Sequence, residues 1–166
     1  MKFDILDMVS GEVMFTAKIG CDGLVPRGVK VGLAVRWAVE NGVDLRGADL
    51  RGADLRGVDL GGVGWVPKIE NIHTAVYAAA KGEDALDMEQ WHTCGSKHCR
   101  AGWVVTLAGA AGKVMEGVYG PGVAAALIYM ASDPEMKKVP NWLASDEDAL
   151  ENMKEMAEAE QLTKEV

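Results

Sequence analysis

Residues 43–62 read VDLRG-ADLRG-ADLRG-VDLGG, four successive units of five residues. A period of five fits neither regular element, because leucines five residues apart are turned by about 140° around a helix and alternate faces on a strand. The chain must therefore turn a corner once per unit. Leucine and the small Val or Ala then point inward, whereas Asp and Arg point outward, which is the pattern of a solenoid.

These units resemble the pentapeptide-repeat family, in which an Ala-(Asp/Asn)-Leu-x-x unit forms one side of a right-handed quadrilateral β-helix. The resemblance implies about one coil here. It also extends to uncharacterised phage and bacterial proteins in which a WHTC…HCRAGW segment follows the repeats, as it does at residues 91–103. Well-studied members of the family bind topoisomerases through a long acidic β-helix that imitates DNA. One coil is too short for such a rod, so that activity is not implied.

Composition is typical of a globular protein: 49% of the 166 residues are hydrophobic and 25% are charged. The formal charge of −8 argues against direct binding of nucleic acid or an anionic membrane, and it is compatible with a basic protein partner. The chain has three cysteines, an odd number, which argues against a secreted disulfide framework in which every cysteine is paired. The N-terminus lacks the apolar segment of a signal peptide, and the most apolar run, residues 101–112, is too short to span a bilayer. We therefore expect a cytoplasmic protein, in the host cytoplasm if phage-encoded, with no cofactor.

The segment before the repeat predicts a β-hairpin and a helix. Residues 3–5 and 13–19 alternate apolar and polar side chains, and the alternate residues that begin at Val13 form the predicted buried face. Residues 29–40 have the apolar spacing of a helix, which would cover an open end of the coil.

The segment after the repeat predicts a small all-α domain. The predicted helices are residues 68–81, 99–118, 123–131 and a last one that begins after the capping residue Ser145. His73 is expected to be a half-buried histidine that forms a hydrogen bond. The fold class is therefore α+β, with a boundary that separates residues 1–66 from residues 67–166.

Two charged surfaces are candidate partner-binding sites. Asp49, Arg51, Asp54 and Arg56 would alternate in sign along the outside of the coil, as a docking surface or as ordinary solvated charges. From residue 133 to the end, ten acidic residues stand against four lysines, so most of the net charge lies in this last part. Within it, the predicted docking residues on the last helix are Glu151, Glu155 and Glu158.

The segment at residues 91–103 leaves three alternatives. His92, Cys94, His98 and Cys99 could bind zinc, although structural zinc sites usually join two well-separated ligand pairs. Cys99 at a helix N-terminus could instead be a nucleophile with a lowered pKa. The third interpretation, which we favour, is that the cysteines pack as small hydrophobic residues while Ser96 caps the helix.

The sequence therefore predicts a non-enzymatic interaction or inhibitor protein of the phage or mobile-element type. It would dock an acidic surface on a protein partner, such as a nucleic-acid-handling or defence protein of the host, and DNA mimicry is one form of that hypothesis. The sequence leaves open whether the chain forms a homo-oligomer. The alternative is a small cysteine- or zinc-dependent enzyme or metal-binding domain centred on the four His and Cys residues.

Overall fold

The computed structural model describes residues 1–55, 66–90, 92–94 and 96–163, and for residues 92–94 it describes the backbone alone. The elements in chain order are β1 (Lys2–Leu6), β2 (Val13–Lys18), α1 (Arg27–Glu40), α2 (Ile72–Ala80), β3 (His92–Cys94), β4 (Lys97–His98), α3 (Arg100–Leu107), α4 (Gly109–Tyr119), α5 (Pro121–Ser132) and α6 (Asp146–Leu162). The predicted mixture of helix and strand, with a small N-terminal hairpin, is confirmed.

β1 and β2 form the predicted antiparallel hairpin, in which Phe3 pairs with Ala17 and Ile5 with Phe15. Ala17 is buried, and Phe15 stacks on Trp37 of α1 with a ring-centroid distance of 6.3 Å. The expectation that Val13 shares the buried face is wrong, because this residue is 56% exposed. The register shifts between Ile5 and Leu6, next to the turn, and the alternation of faces does not extend through that shift.

The repeat turns a corner at each of its two described units. The N–H of Ala48 donates to the carbonyl of Leu45 at 3.0 Å, and Ala53 donates to Leu50 at 2.9 Å. The third residue of each turn is a glycine with positive φ, 84° at Gly47 and 68° at the equivalent position one unit later, which other residues rarely adopt. The leucines and alanines of these units are buried. The inward leucine is thus confirmed, whereas closure into a coil stays a prediction, because residues 56–65 lie outside the described part.

Segments from both sides of the chain pair with the repeat backbone. On one side, the N–H of Asp49 donates to Leu6 at 2.8 Å, and that of Asp54 donates to Gly28 of α1 at 2.9 Å. From the helical part, the N–H of Val139 donates to the carbonyl of Ala53 at 3.2 Å. The repeat backbone is therefore held by non-repeat partners, which is one way to protect an edge from pairing with another chain.

α1 reaches the repeat through two glycines on one face. A Cβ added at Gly32 would overlap the carbonyl oxygen of Asp54, and one added at Gly28 would overlap that of Gly52. Helix backbone thus lies directly against repeat backbone, and the role of this helix in covering an end of the coil stays a prediction.

Two helices have bounds in the structure that differ from the predicted ones. α2 begins at Ile72 and not at residue 68, because Asn71 has a left-handed conformation with φ 54°. The predicted helix over residues 99–118 is two helices, since Gly109 has φ 64° and breaks the run between α3 and α4. The two helices then approach closely at Gly112, where a Cβ would overlap the carbonyl oxygen of Val105.

α5 forms the centre of the helical part, with seven consecutive buried residues from Val123 to Tyr129. It packs against α3 and α4, while α6 packs along α2. α6 begins as predicted, with the Ser145 hydroxyl accepting the N–H of Asp148 at 3.1 Å. Within the described residues, no helix combines the length and the apolar character needed to cross a bilayer.

Candidate functional site

The first repeat unit presents an exposed ion pair. The carboxylate of Asp44 accepts from Arg46 Nε at 3.0 Å, and its side chain remains 54% exposed. This side-chain hydrogen bond is the main cause that lowers the pKa of Asp44 to about 2, helped by the N–H of Arg46. The pair is therefore charged at any physiological pH and open to a partner.

The second unit repeats the same local bonds in a more buried setting. Asp49 accepts from Arg51 Nε at 2.8 Å, and Arg27 from the start of α1 approaches to 3.9 Å. The side chain of Asp49 is only 9% exposed, so the expectation that this aspartate points outward is wrong. The Arg51 side-chain bond is the largest cause that lowers the pKa of Asp49, against the opposing effect of burial.

The remaining repeat residues give a mixed result. Asp54 is half-buried, and Arg56 lies outside the described residues. The exposed repeat charges that the structure describes are therefore Asp44, Arg46 and Arg51. Sequence reasoning missed Arg27, because no pattern connects it to an aspartate 22 positions later.

The three predicted glutamates of α6 are all exposed. The opposite face of this helix buries Ala149, Met153 and Ala157, which fixes Glu151, Glu155 and Glu158 on the solvent side. Together with Glu147 they form the acidic row, at spacings of four, four and three residues. Glu158 has Lys154 at 3.9 Å, an exposed pair of little energetic weight. In the described part of the chain, no ion pair joins the row to a repeat arginine.

The structure describes the side chains of only some residues of the candidate Cys/His site. His98 is buried and meets Trp103 edge to face, with ring centroids 4.6 Å apart. The side chains of His92 and Cys94 lie outside the described residues, so the zinc alternative stays untested there. Among the side chains that are described, no three His, Cys, Asp or Glu residues gather as metal ligands would.

The environment of Cys99 differs from the one that the nucleophile hypothesis predicts. It is the N-cap of α3, and its Sγ accepts the N–H of Gly102 at 3.4 Å, so the expectation that Ser96 caps this helix is wrong. Burial raises the pKa of the Cys99 thiol, and the backbone hydrogen bonds only partly offset that effect. A raised pKa and 4% exposure remove the basis for a reactive thiolate.

The corner geometry and the inward leucines can be compared with known families. Residues 41–63 match the family of pentapeptide repeats. The matching family model describes eight copies, whereas the matched segment of this chain has room for fewer than five. Pentapeptide repeats are typically protein-interaction modules and are generally non-enzymatic. No curated protein and no solved structure matches the chain.

Proposed function

We propose that this pentapeptide-repeat chain is a non-enzymatic interaction protein that docks the acidic row of α6 on a basic surface of a protein partner. Occupation of that surface would block whatever the partner normally binds there. A partner that handles nucleic acid fits best, because its own binding surface is basic and the row offers it carboxylates in place of phosphates.

The observation that carries the proposal is the exposure of four glutamates in one row on a helix. Glu147, Glu151 and Glu155 follow one another at four-residue spacing, and like charges at that spacing destabilise a helix by about 0.2–0.5 kcal/mol per pair. Bound lysines or arginines would remove this repulsion. The row extends over about 17 Å at 1.5 Å per residue, long enough for several such contacts.

The repeat offers a second charged surface. Its exposed Asp44–Arg46 pair offers one charge of each sign beside the buried leucines. The phage or mobile-element origin suggested by the repeat and the WHTC…HCRAGW segment is consistent with an inhibitor of a host protein, and it remains part of the proposal.

The test is a triple charge reversal with a matched control. Glu151, Glu155 and Glu158 are changed to lysine in one variant, and the exposed residues Glu12, Glu83 and Glu89 are changed to lysine in the other, so both variants gain the same charge. Partners captured from host lysate are compared at equal salt by quantitative mass spectrometry. We expect the α6 variant to lose a partner that the control retains.

Circular dichroism and chemical denaturation verify that both variants fold. All three glutamates are exposed, and exposed substitutions usually change stability little, so the α6 variant should remain folded. Partner capture that survives the α6 reversal, or that is lost equally in both variants, would contradict docking through the acidic row.

A further inference from the structure

A large cavity opens between α2, α6 and the loop that follows α5. Its volume is about 1380 Å³, above the range of about 300–1,000 Å³ that is usual for small-molecule sites. Apolar side chains such as Ile69, Met136 and Leu143 line part of it, and Arg100 also lines it.

Arg100 is a buried cation with neutral partners. The residue is 2% exposed, and its Nε donates to the Tyr129 hydroxyl at 3.1 Å. One terminal nitrogen donates to Asn152 Oδ1 at 2.7 Å, and the other contacts Met156 Sδ at 3.0 Å. The guanidinium carbon also lies 5.3 Å from the centre of the Tyr129 ring. Since a guanidinium has five N–H donors, two of them have no acceptor among the described residues.

Two of the carboxylates that line the cavity, those of Asp133 and Glu160, already have other partners. Asp133 Oδ2 lies 2.9 Å from His73 Nε2. The His73 ring stacks on Tyr129, and the residue is buried, so the expectation that it is half-buried is wrong. Glu160 accepts the backbone N–H of His73 at 3.3 Å and that of Thr74 at 2.9 Å, at the start of α2. In the described part of the chain, no carboxylate comes within 4.0 Å of Arg100. A buried charge that lacks a counter-charge is strongly unfavourable, so an anion in the adjoining cavity would stabilise this site.

We propose that this cavity binds a small organic monocarboxylate, with the carboxylate on Arg100 and the apolar body against the apolar lining. The exposed side chains of Lys137 and Lys138 at the rim would attract the anion. Several acidic residues also line the cavity, among them Glu70, Asp133 and Asp148, and they disfavour a second negative charge. A carboxylate head group therefore fits better than a phosphate monoester. The site is separate from the acidic row, because none of the four glutamates of the row is among its lining residues.

Octanoate, octyl phosphate and 1-octanol are the probes, because they share the apolar chain and differ in charge. Isothermal titration of the full chain should show saturable octanoate binding, with 1-octanol and octyl phosphate each weaker by about tenfold or more, as expected when a charge-assisted hydrogen bond is lost or opposed. The absence of saturable octanoate binding would overturn the proposal. So would binding of 1-octanol or octyl phosphate that is as tight as that of octanoate.

Arg100→Met tests the residue itself, with the half-buried Arg36→Met, at a position outside the cavity lining, as the control. We expect Arg100→Met to weaken octanoate binding about tenfold or more and Arg36→Met to leave it unchanged. If Arg100→Met does not fold, Ala144→Trp takes its place, since Ala144 lines the cavity and a tryptophan would fill it. Retention of octanoate binding by the folded cavity variant would place the ligand elsewhere and overturn the assignment.

Discussion

Asp44 and Asp49 are each followed by the same residues, Leu-Arg-Gly, but differ in how far tertiary structure shields them. Both accept from the arginine two residues later. Asp44 keeps most of its exposure, whereas Asp49 is covered by Arg51 and by Arg27 of α1. The same five-residue unit can therefore supply a surface charge at one position and a buried ion pair at the next.

This difference predicts unequal effects of two equivalent substitutions. Arg51→Ala should lower the free energy of unfolding by about 1–3 kcal/mol, because it leaves a shielded carboxylate with fewer partners. Arg46→Ala, its control at the same repeat position, should cost much less, because exposed ion pairs contribute little to stability. Urea denaturation of both variants measures the two values, and equal losses would show that the burial of Asp49 carries no energetic weight.

The pKa of Asp49 predicts a pH dependence of stability. Its pKa is held below the ordinary value of 3.8, so the ionised form stabilises the fold above that pH and the stabilisation is lost as pH falls through the lowered pKa. As the pH falls below about 4, the free energy of unfolding of the wild type should fall more steeply than that of Asp49→Asn. Parallel pH profiles from urea denaturation would contradict the lowered pKa.

At the scale of elements, α1 and the repeat are joined backbone to backbone. The contact depends on the absence of a side chain at Gly32, where a Cβ would overlap the carbonyl oxygen of Asp54. Glycine in the middle of a helix is otherwise unfavourable by about 0.5–1 kcal/mol relative to alanine. The close approach therefore outweighs helix propensity at this position.

Gly32→Ala should consequently destabilise the protein, although alanine is the better helix former. Gly117→Ala in α4 is the matched control, since nothing lies within 4 Å of a Cβ at that exposed helical glycine. That control should stabilise by about 0.5–1 kcal/mol. Thermal denaturation should move the two melting temperatures in opposite directions. An increase for both would mean that α1 does not rest on the repeat.

At the scale of the whole molecule, the repeat forms backbone hydrogen bonds with both the N-terminal hairpin and the helical part of the chain. Asp49 bonds to the hairpin, and Val139 from the helical part bonds to Ala53. The second bond crosses the boundary expected near residue 66, and that division into two domains stays a prediction. Shared hydrogen bonds of this kind favour unfolding as one cooperative unit.

Hydrogen exchange at the amides of Asp49 and Asp133 should therefore report the same free energy of opening in the wild type. Val139→Pro removes the N–H that donates to Ala53, and it should lower protection at Asp49 relative to Asp133. Val139→Ala, which loses side-chain packing but retains the donor, is the control. Unequal opening energies in the wild type would contradict the shared unit.

The sequence by itself determined the features that depend on near neighbours. The five-residue period predicted inward leucines and corners, and the glycines with positive φ supply those corners within four residues. Alternation predicted the hairpin, and Ser145 predicted the start of α6. Each rests on contacts that a local pattern encodes directly.

The tertiary structure alone decided which charges are buried and where the cavity lies. Arg100 meets Tyr129 29 residues later and Asn152 52 residues later, so no local pattern indicates that its charge lies in the interior. The burial of Asp49 likewise required α1, and the break between α3 and α4 accompanies the packing of Gly112 against Val105. Long-range packing sets the solvent exposure of each ionisable group, and exposure decides whether that group is a solvated surface charge or part of a site.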